Sequence, residues 1–215
     1  MMTLSPKAEE ICNKIAPEKT KLGDLRAIAK LIKKDHHLAM ELWETAEFHP
    51  RLLALLIMEV KVLHFNIIDN LIKDIEGHQI DERLQLTDWL MANQLTKSKT
   101  TIALMQSWQN DKSSLKRRVF YYYQGRLRWM GQKPPENTAE LLAAIEQNIL
   151  SEESEVQWAM NFTAGWIGIY DHDHRDHCIE LGEKLGLYKD EIVHKNCTPN
   201  YLPKFIELEV SKRNL

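Results

Sequence analysis

The chain has 215 residues, 44% of them hydrophobic, a size that can bury a full core and favours one domain over two. It contains 8 Gly and 7 Pro but no Asn-Gly or Asp-Gly pair, which argues against a fold dominated by β-hairpins. The net charge is −3, yet Lys97 to Lys133 carries nine basic residues against Asp111 alone, which leaves −11 for the rest of the chain.

The sequence predicts about twelve amphipathic helices separated by short breaks, because apolar residues recur at three- and four-residue steps. Ser5-Pro6 has the N-cap and N1 arrangement of a helix start, and Pro17 is expected to end this first helix. Asp35 is placed to cap a third helix, and His49-Pro50 opens a fourth. The first quarter of the chain is therefore predicted to be helical apart from short breaks.

Residues that begin or end helices recur along the rest of the chain. Gly77 is expected to end the fifth helix and Asp81 to cap the sixth. Thr96 or Ser98 begins the seventh, and Gly186 ends the eleventh. A last helix precedes a charged C-terminal tail.

Helical hairpins of roughly 35 to 45 residues predict an all-α fold, a HEAT-like helical-repeat solenoid in a single domain over residues 1–215. No motif recurs at a fixed period, so a globular helical bundle is the alternative. A solenoid would line a concave surface with its inner helices, which suits an elongated partner. The amphipathic first helix and the tail Lys212-Arg213-Asn214 fit end caps and predict a monomer.

Three widely spaced cysteines argue against a disulfide framework and for a reducing compartment. Residues 1–14 lack the basic flank and apolar run of a signal peptide, and the run Leu52–Met58 is followed by Glu59 and Lys61. We therefore expect a cytoplasmic protein with no membrane partner.

Most of the basic residues fall on the eighth helix, which Ser113 or Ser114 is expected to cap. Arg and Lys pair with phosphates and release counterions, so a basic helix binds DNA even on a protein of negative net charge. Tyr121–Tyr123 interrupt the charges, which favours a polyanion over the alternative of a solvated charged face. The predicted partner is duplex DNA, and the predicted DNA-binding residues are Lys112, Lys116, Arg117, Arg118, Arg126 and Arg128.

The chain contains Leu22-Gly23-Asp24-Leu25-Arg26 followed by Ile28-Ala29-Lys30, then Leu42-Trp43, Pro50-Arg51-Leu52-Leu53-Ala54 and the spacing from Trp108 to Arg118. These stretches resemble the AlkD-type DNA alkylation repair proteins, which are bacterial HEAT-like-repeat DNA glycosylases. The resemblance covers residues 22–186 and implies hydrolysis of the N-glycosidic bond of N3- or N7-alkylated purines, without a deep base pocket. No cofactor is expected.

Carried over by position, the resemblance implies Asp88 as the catalytic carboxylate, which would stabilise the oxocarbenium-like sugar and position water. It implies Arg118 as the phosphate-binding arginine, or Arg117 if the register shifts by one. Two family tryptophans fall on Leu84 and Phe162. Leucine has no π face for a cationic purine, and phenylalanine keeps the face but lacks the indole donor.

Other tryptophans are candidates to replace the missing ones. Trp89 adjoins Asp88, while Trp158 and Trp166 lie one turn on either side of Phe162. Together these four aromatic residues form the predicted aromatic frame. The alternatives are that the helical stripe is core and that Asp88 is an ordinary surface or salt-bridged carboxylate.

The stretch Tyr170–Cys178 places His174 with Cys178, and His172 with Asp176, at the four-residue spacing of helical metal ligands. Acidic residues at a helix start need no ion, and no second cluster supports one, so no metal is expected. Three classes of function stay open.

The first is an alkylpurine DNA glycosylase, favoured by Asp88. The second is a DNA-binding relative without base excision that recognises distorted or branched duplex, favoured by Leu84 and Phe162. The third is a helical scaffold for proteins, which the basic helix disfavours.

Overall fold

A computed structural model describes residues 4–15, 19–195 and 197–215. In these ranges the chain forms twelve α-helices, four single-turn 3-10 helices and no strand, so the all-α prediction is confirmed. The α-helices are α1 Pro6–Lys14, α2 Leu22–Ile32, α3 His36–Glu44, α4 Phe48–Ile57, α5 Phe65–Glu76, α6 Ile80–Asn93, α7 Lys99–Gln106, α8 Ser114–Trp129, α9 Thr138–Asn148, α10 Ser154–Tyr170, α11 Arg175–Leu185 and α12 Leu202–Arg213.

Side chains cap several helices where the sequence predicted them. The Ser5 hydroxyl accepts a hydrogen bond from the Ala8 amide at 3.3 Å, and the Asp35 carboxylate accepts one from the Leu38 amide at 3.1 Å. Ser98 caps α7 by accepting from an amide of its first turn. Each bond satisfies an amide that has no partner within the helix.

Other boundaries differ in detail. The prediction that Asp81 caps the sixth helix is wrong by two residues, because Gln79 holds the N-cap position of α6. Asp81 lies instead in the first turn, where a carboxylate also favours the helix dipole. Gly186 ends α11 in the left-handed conformation at φ 63°, as its glycine predicts. Pro17 lies outside the described residues.

The chain divides into two compact units, Met1–Ser107 and Trp108–Leu215. The single-domain assignment stays a prediction. In the described ranges no helix is both long enough and apolar enough to cross a bilayer.

In the first unit, α4 lies between α2, α3 and α6, and seven of its ten residues are buried. Its one buried basic residue, Arg51, donates to the carbonyl oxygens of Trp43 at 3.0 Å and Asp74 at 2.9 Å. Burial lowers the pKa of Arg51. Arg51 also approaches Nε2 of His78 at 2.8 Å, and because a guanidinium only donates, the proton of His78 lies on Nδ1, facing Glu82.

In the second unit, the long helices α8 and α10 pack closely along their length. A glycine permits the approach, because a β-carbon at Gly125 would lie 2.7 Å from Cδ1 of Phe162. The Thr163 hydroxyl lies 2.6 Å from the Tyr121 carbonyl oxygen and so links the two helices. Helix α12 also packs on α10, where Phe205 occupies the space beside Gly165.

Candidate nucleic-acid interface

The predicted DNA-binding residues occupy three different environments on and beside α8. Arg118 and Arg128 are buried, with 4% and 5% of their surface exposed. Arg118 donates from Nη1 to the Glu155 carbonyl oxygen at 2.9 Å. Arg128 donates to the carbonyl oxygen of its own helix at Gln124 and to the Thr138 hydroxyl, both at 3.0 Å. Burial lowers the pKa of Arg128. Both guanidinium groups are therefore engaged in hydrogen bonds inside the second unit rather than presented to solvent.

Two further basic residues are engaged in ion pairs. Arg117 contacts the Glu152 carboxylate at 2.8 Å and also pairs with Glu153. The hydrogen bond to Glu152 raises the pKa of Arg117. Lys116 lies 3.4 Å from the Asp111 carboxylate. Carboxylates therefore offset part of the positive charge that the sequence concentrates on α8.

The remaining two basic residues face solvent. Lys112 is exposed and Arg126 is partly exposed. Within the described part of the chain, neither side chain has a carboxylate within ion-pairing distance. Arg126 lies instead over the ring of Trp129, with its guanidinium carbon 5.6 Å from the ring centroid. Of the six predicted residues, these two combine access to solvent with the absence of a carboxylate partner among the described residues, so they can meet a phosphate directly.

An aromatic stripe runs along α10 and continues onto α8. Residues at four-residue intervals on α10 share one face, as the helical repeat predicts. Trp158 stacks on Phe162 at 5.2 Å, and Trp166 stacks on Tyr170 at 5.8 Å. We define the aromatic stripe as Trp158, Phe162, Trp166 and Tyr170 of α10 with Tyr122 and Trp129 of α8.

Burial varies along the stripe, so it is neither wholly core nor wholly surface. Trp166 is 4% exposed, and Trp158 and Phe162 are partly buried. Tyr170 and Trp129 are each 44% exposed. The stripe therefore packs its middle against the unit and presents rings to solvent at the ends of α8 and α10.

Every one of the six tryptophans, all in the described ranges, has a basic side chain over its ring. Such cation–π contacts stabilise by about 0.5 to 2 kcal/mol, more when water is excluded. A cationic ligand would have to displace a protein cation or use the opposite ring face. The pairs are Arg51 with Trp43, Arg26 with Trp89, Lys116 with Trp108, Arg126 with Trp129, Arg118 with Trp158 and Arg213 with Trp166.

The predicted catalytic residue lies in the first unit. Asp88 is partly buried in α6, and Leu84, one turn earlier, is partly buried as well. Trp89 is only 8% exposed, and the Arg26 guanidinium lies 4.8 Å from its ring centroid. Trp89 is therefore mostly committed to packing and to its own cation.

The candidate metal ligands in the histidine-rich stretch at the start of α11 lie in different environments. Cys178 is fully buried, and burial raises the pKa of its thiol to about 12. His172 is exposed, and His174 lies 3.1 Å from the Asp171 carboxylate. Across the described residues, no group of three or more His, Cys, Asp or Glu side chains is arranged to hold a metal ion.

Two features escaped the sequence prediction. Glu152 and Glu153 neutralise Arg117 from 35 and 36 positions away, a distance that no local charge pattern reports. Trp129 and Tyr170 extend the stripe, and Arg213 of α12 covers Trp166. The three-residue spacing of Arg126 and Trp129 is the one local signal that could have indicated their contact.

Comparisons with known proteins agree with this architecture. A family model described as "DNA alkylation repair enzyme" matches residues 20–185. A solved structure from "a new family of proteins related to the HEAT-like repeat DNA glycosylases with affinity for branched DNA structures" is similar with a TM-score of 0.70 at 17% identity, covering 99% of this chain and 91% of that one. A search of curated proteins gave no match. The predicted HEAT-like helical-repeat fold is thereby confirmed.

Proposed function

Because the chain belongs to the DNA alkylation repair enzyme family, we propose that it binds DNA and recognises distorted or branched duplex without excising alkylated bases. The observation that carries this proposal is that each candidate replacement tryptophan, Trp89, Trp158 and Trp166, is covered by an arginine of the chain itself. Excision of a cationic purine, as the family resemblance describes it, needs an aromatic face on which the lesion can lie.

The candidate replacements for the missing tryptophans are poorly placed for that task. The Arg118 guanidinium lies 4.8 Å from the Trp158 centroid and is held by the Glu155 carbonyl oxygen. Moving the Arg118 guanidinium aside would leave a buried cation without that hydrogen-bond acceptor. Leaving a buried charge without its partner costs on the order of several kcal/mol. Trp166 is covered by Arg213, which Glu209 holds in place.

Affinity for DNA itself is supported by the solvent-facing cations and the stripe. Lys112 and Arg126 can pair with phosphates, and aromatic rings and arginines are the groups that hold nucleic acid without reading its sequence. The similar solved protein belongs to a group with affinity for branched DNA structures, and we extend that preference to this chain. We further propose that the chain acts as a single monomeric domain.

Alkylpurine excision is the second candidate, since Asp88 is retained on α6 and is only partly buried. A carboxylate in that state can serve an oxocarbenium-like transition state if water and DNA reach it. This candidate requires that a lesion be held without a tryptophan at position 84.

Two measurements on wild type and D88N separate the candidates. The first is release of free base from DNA carrying 7-methylguanine or 3-methyladenine. The second is affinity for a branched junction and for a linear duplex of the same sequence. We expect no release, tighter binding to the junction, and equal binding by both proteins. Base release that D88N abolishes would establish the glycosylase instead. Failure to bind any DNA in a salt-dependent way would overturn both.

A further inference from the structure

We propose that Trp129 is a stacking platform for an unpaired base, and that it gives the protein its contact with the single-stranded part of a distorted or branched DNA. This inference rests on the proposed function and names the part of the DNA that the second unit contacts. Three observations support it: the exposure of Trp129, the packing of its ring against the aromatic stripe, and the absence of a carboxylate near Arg126 in the described part of the chain.

Exposure singles out Trp129 among the tryptophans, all six of which lie in the described ranges. Trp43, Trp89, Trp108 and Trp166 are between 1% and 8% exposed, and Trp158 is partly buried. Trp129 is 44% exposed. The part of the indole that stays exposed gains nothing from folding, whereas stacking on a base would remove that apolar surface from water.

The ring is held from the protein side. Its centroid lies 6.4 Å from that of Phe162 in an edge-to-face arrangement and 6.3 Å from that of Trp166. These contacts fix the indole on the aromatic stripe, so little side-chain freedom is lost when a ligand covers its exposed area. A base stacked there would extend the stripe by one further ring.

Among the three tryptophans of the aromatic stripe, Trp129 is the one whose covering cation can give way. Arg118 donates to the Glu155 carbonyl oxygen, and Arg213 pairs with Glu209. Arg126 has no carboxylate within ion-pairing distance in the described part of the chain. Its guanidinium can therefore turn to the phosphate beside the bound nucleotide while the base takes its place on the ring.

This geometry selects unpaired nucleotides because bases inside a duplex have both π faces covered by neighbouring base pairs. Single-stranded arms, gaps and junction points expose a face, and every base has one, so the contact is independent of sequence. The neighbouring cation favours a polyanion over an apolar protein partner, which would leave Arg126 buried without a counter-charge.

The test compares three DNAs: a blunt duplex, the same duplex with a short single-stranded overhang, and that overhang built from abasic nucleotides. Wild type should bind the overhang about 5- to 150-fold more tightly than the blunt duplex, the range for one stacked base, and the abasic overhang should lose this gain. W129A should lose the gain, W129F should keep most of it, and M130A, which truncates the exposed neighbour, should keep all of it.

Several outcomes would overturn the stacking role. One is equal affinity of wild type for the normal and abasic overhangs, a comparison that needs no variant and so decides the matter even if W129A fails to fold. Another is an unchanged gain in folded W129A. Salt-dependent binding to the blunt duplex without a preference for the overhang would remove the stacking proposal and leave DNA binding intact. Absence of binding to all three DNAs would remove the proposed function itself.

Discussion

Removing the two solvent-facing cations on and beside α8 should weaken DNA binding in a way that salt reveals. Each phosphate neutralised by Lys or Arg contributes about 0.9 to the slope of log affinity against log salt concentration. If all six predicted basic residues contacted phosphates, the slope would be about −5.4. The structure leaves only Lys112 and Arg126 without carboxylate partners or burial, so we expect these residues to contribute about −1.8.

The assay is a titration of duplex DNA between about 50 and 200 mM salt, with wild type, K112Q, R126Q and the double variant. Each single substitution should flatten the slope by about 0.9, and the double variant by about twice that. K184Q is the matched control. Lys184 lies on α11, is 69% exposed and is held by Glu146 at 2.8 Å, so the same charge is lost from the same unit without a predicted phosphate contact.

An unchanged slope in the double variant would refute the assignment of these cations to the phosphate backbone. An equal change in K184Q would show that net charge, rather than position on α8, governs binding. A wild-type slope near −5.4 with normal single-variant changes would mean that the ion-paired and buried cations also leave their partners within the protein when DNA binds.

Three further predictions concern the fold. G125A should destabilise the protein by about 1 to 3 kcal/mol in denaturant unfolding, because the new methyl group would lie 2.7 Å from the Phe162 ring; an unchanged midpoint would show that the ring moves freely. Cys178, with its pKa raised to about 12 by burial, should stay unmodified by thiol reagents at pH 8 in the native protein and react on unfolding, as peptide mass mapping would show. The hydrogen bond from Lys7 lowers the pKa of Asp35. The ionised Asp35 carboxylate therefore contributes its full stabilisation at pH values above the pKa that this carboxyl group has in the unfolded chain. The contribution is lost as the pH falls through the lower pKa that it has in the native state. D35N should match wild type more closely at pH 3 than at pH 6, with a gap below about 1 kcal/mol because the pair is partly exposed; a gap that widens in acid would contradict this.

The helices were predictable because their signals are local. Ser5, Asp35 and Ser98 cap helices with side chains that reach the amide three residues on, and apolar spacing marks the buried faces. The position of Asp81 was missed because an acidic residue is equally at home at the N-cap and in the first turn. Helix identity therefore follows from sequence, and the exact first residue does not.

The state of the basic residues was not predictable in the same way. A run of Arg and Lys has the same appearance in sequence whether its members face solvent or are paired. Arg117 is neutralised by carboxylates that lie just before α10, far from it in the chain. Arg118 and Arg128 are bonded to carbonyl or hydroxyl oxygens, which a pattern of charged side chains cannot reveal. Tertiary packing decided which charges remained available.

The unequal exposure of the six indoles has an optical consequence. A collisional quencher such as acrylamide reaches excited tryptophans according to their access to solvent, so quenching in this protein should act mainly on Trp129, the most exposed of the six in the described ranges. The difference in emission between wild type and W129F would isolate that single fluorophore. Any ligand that covers the ring should shield it from the quencher, so occupancy of this face can be followed in real time on the unlabelled protein.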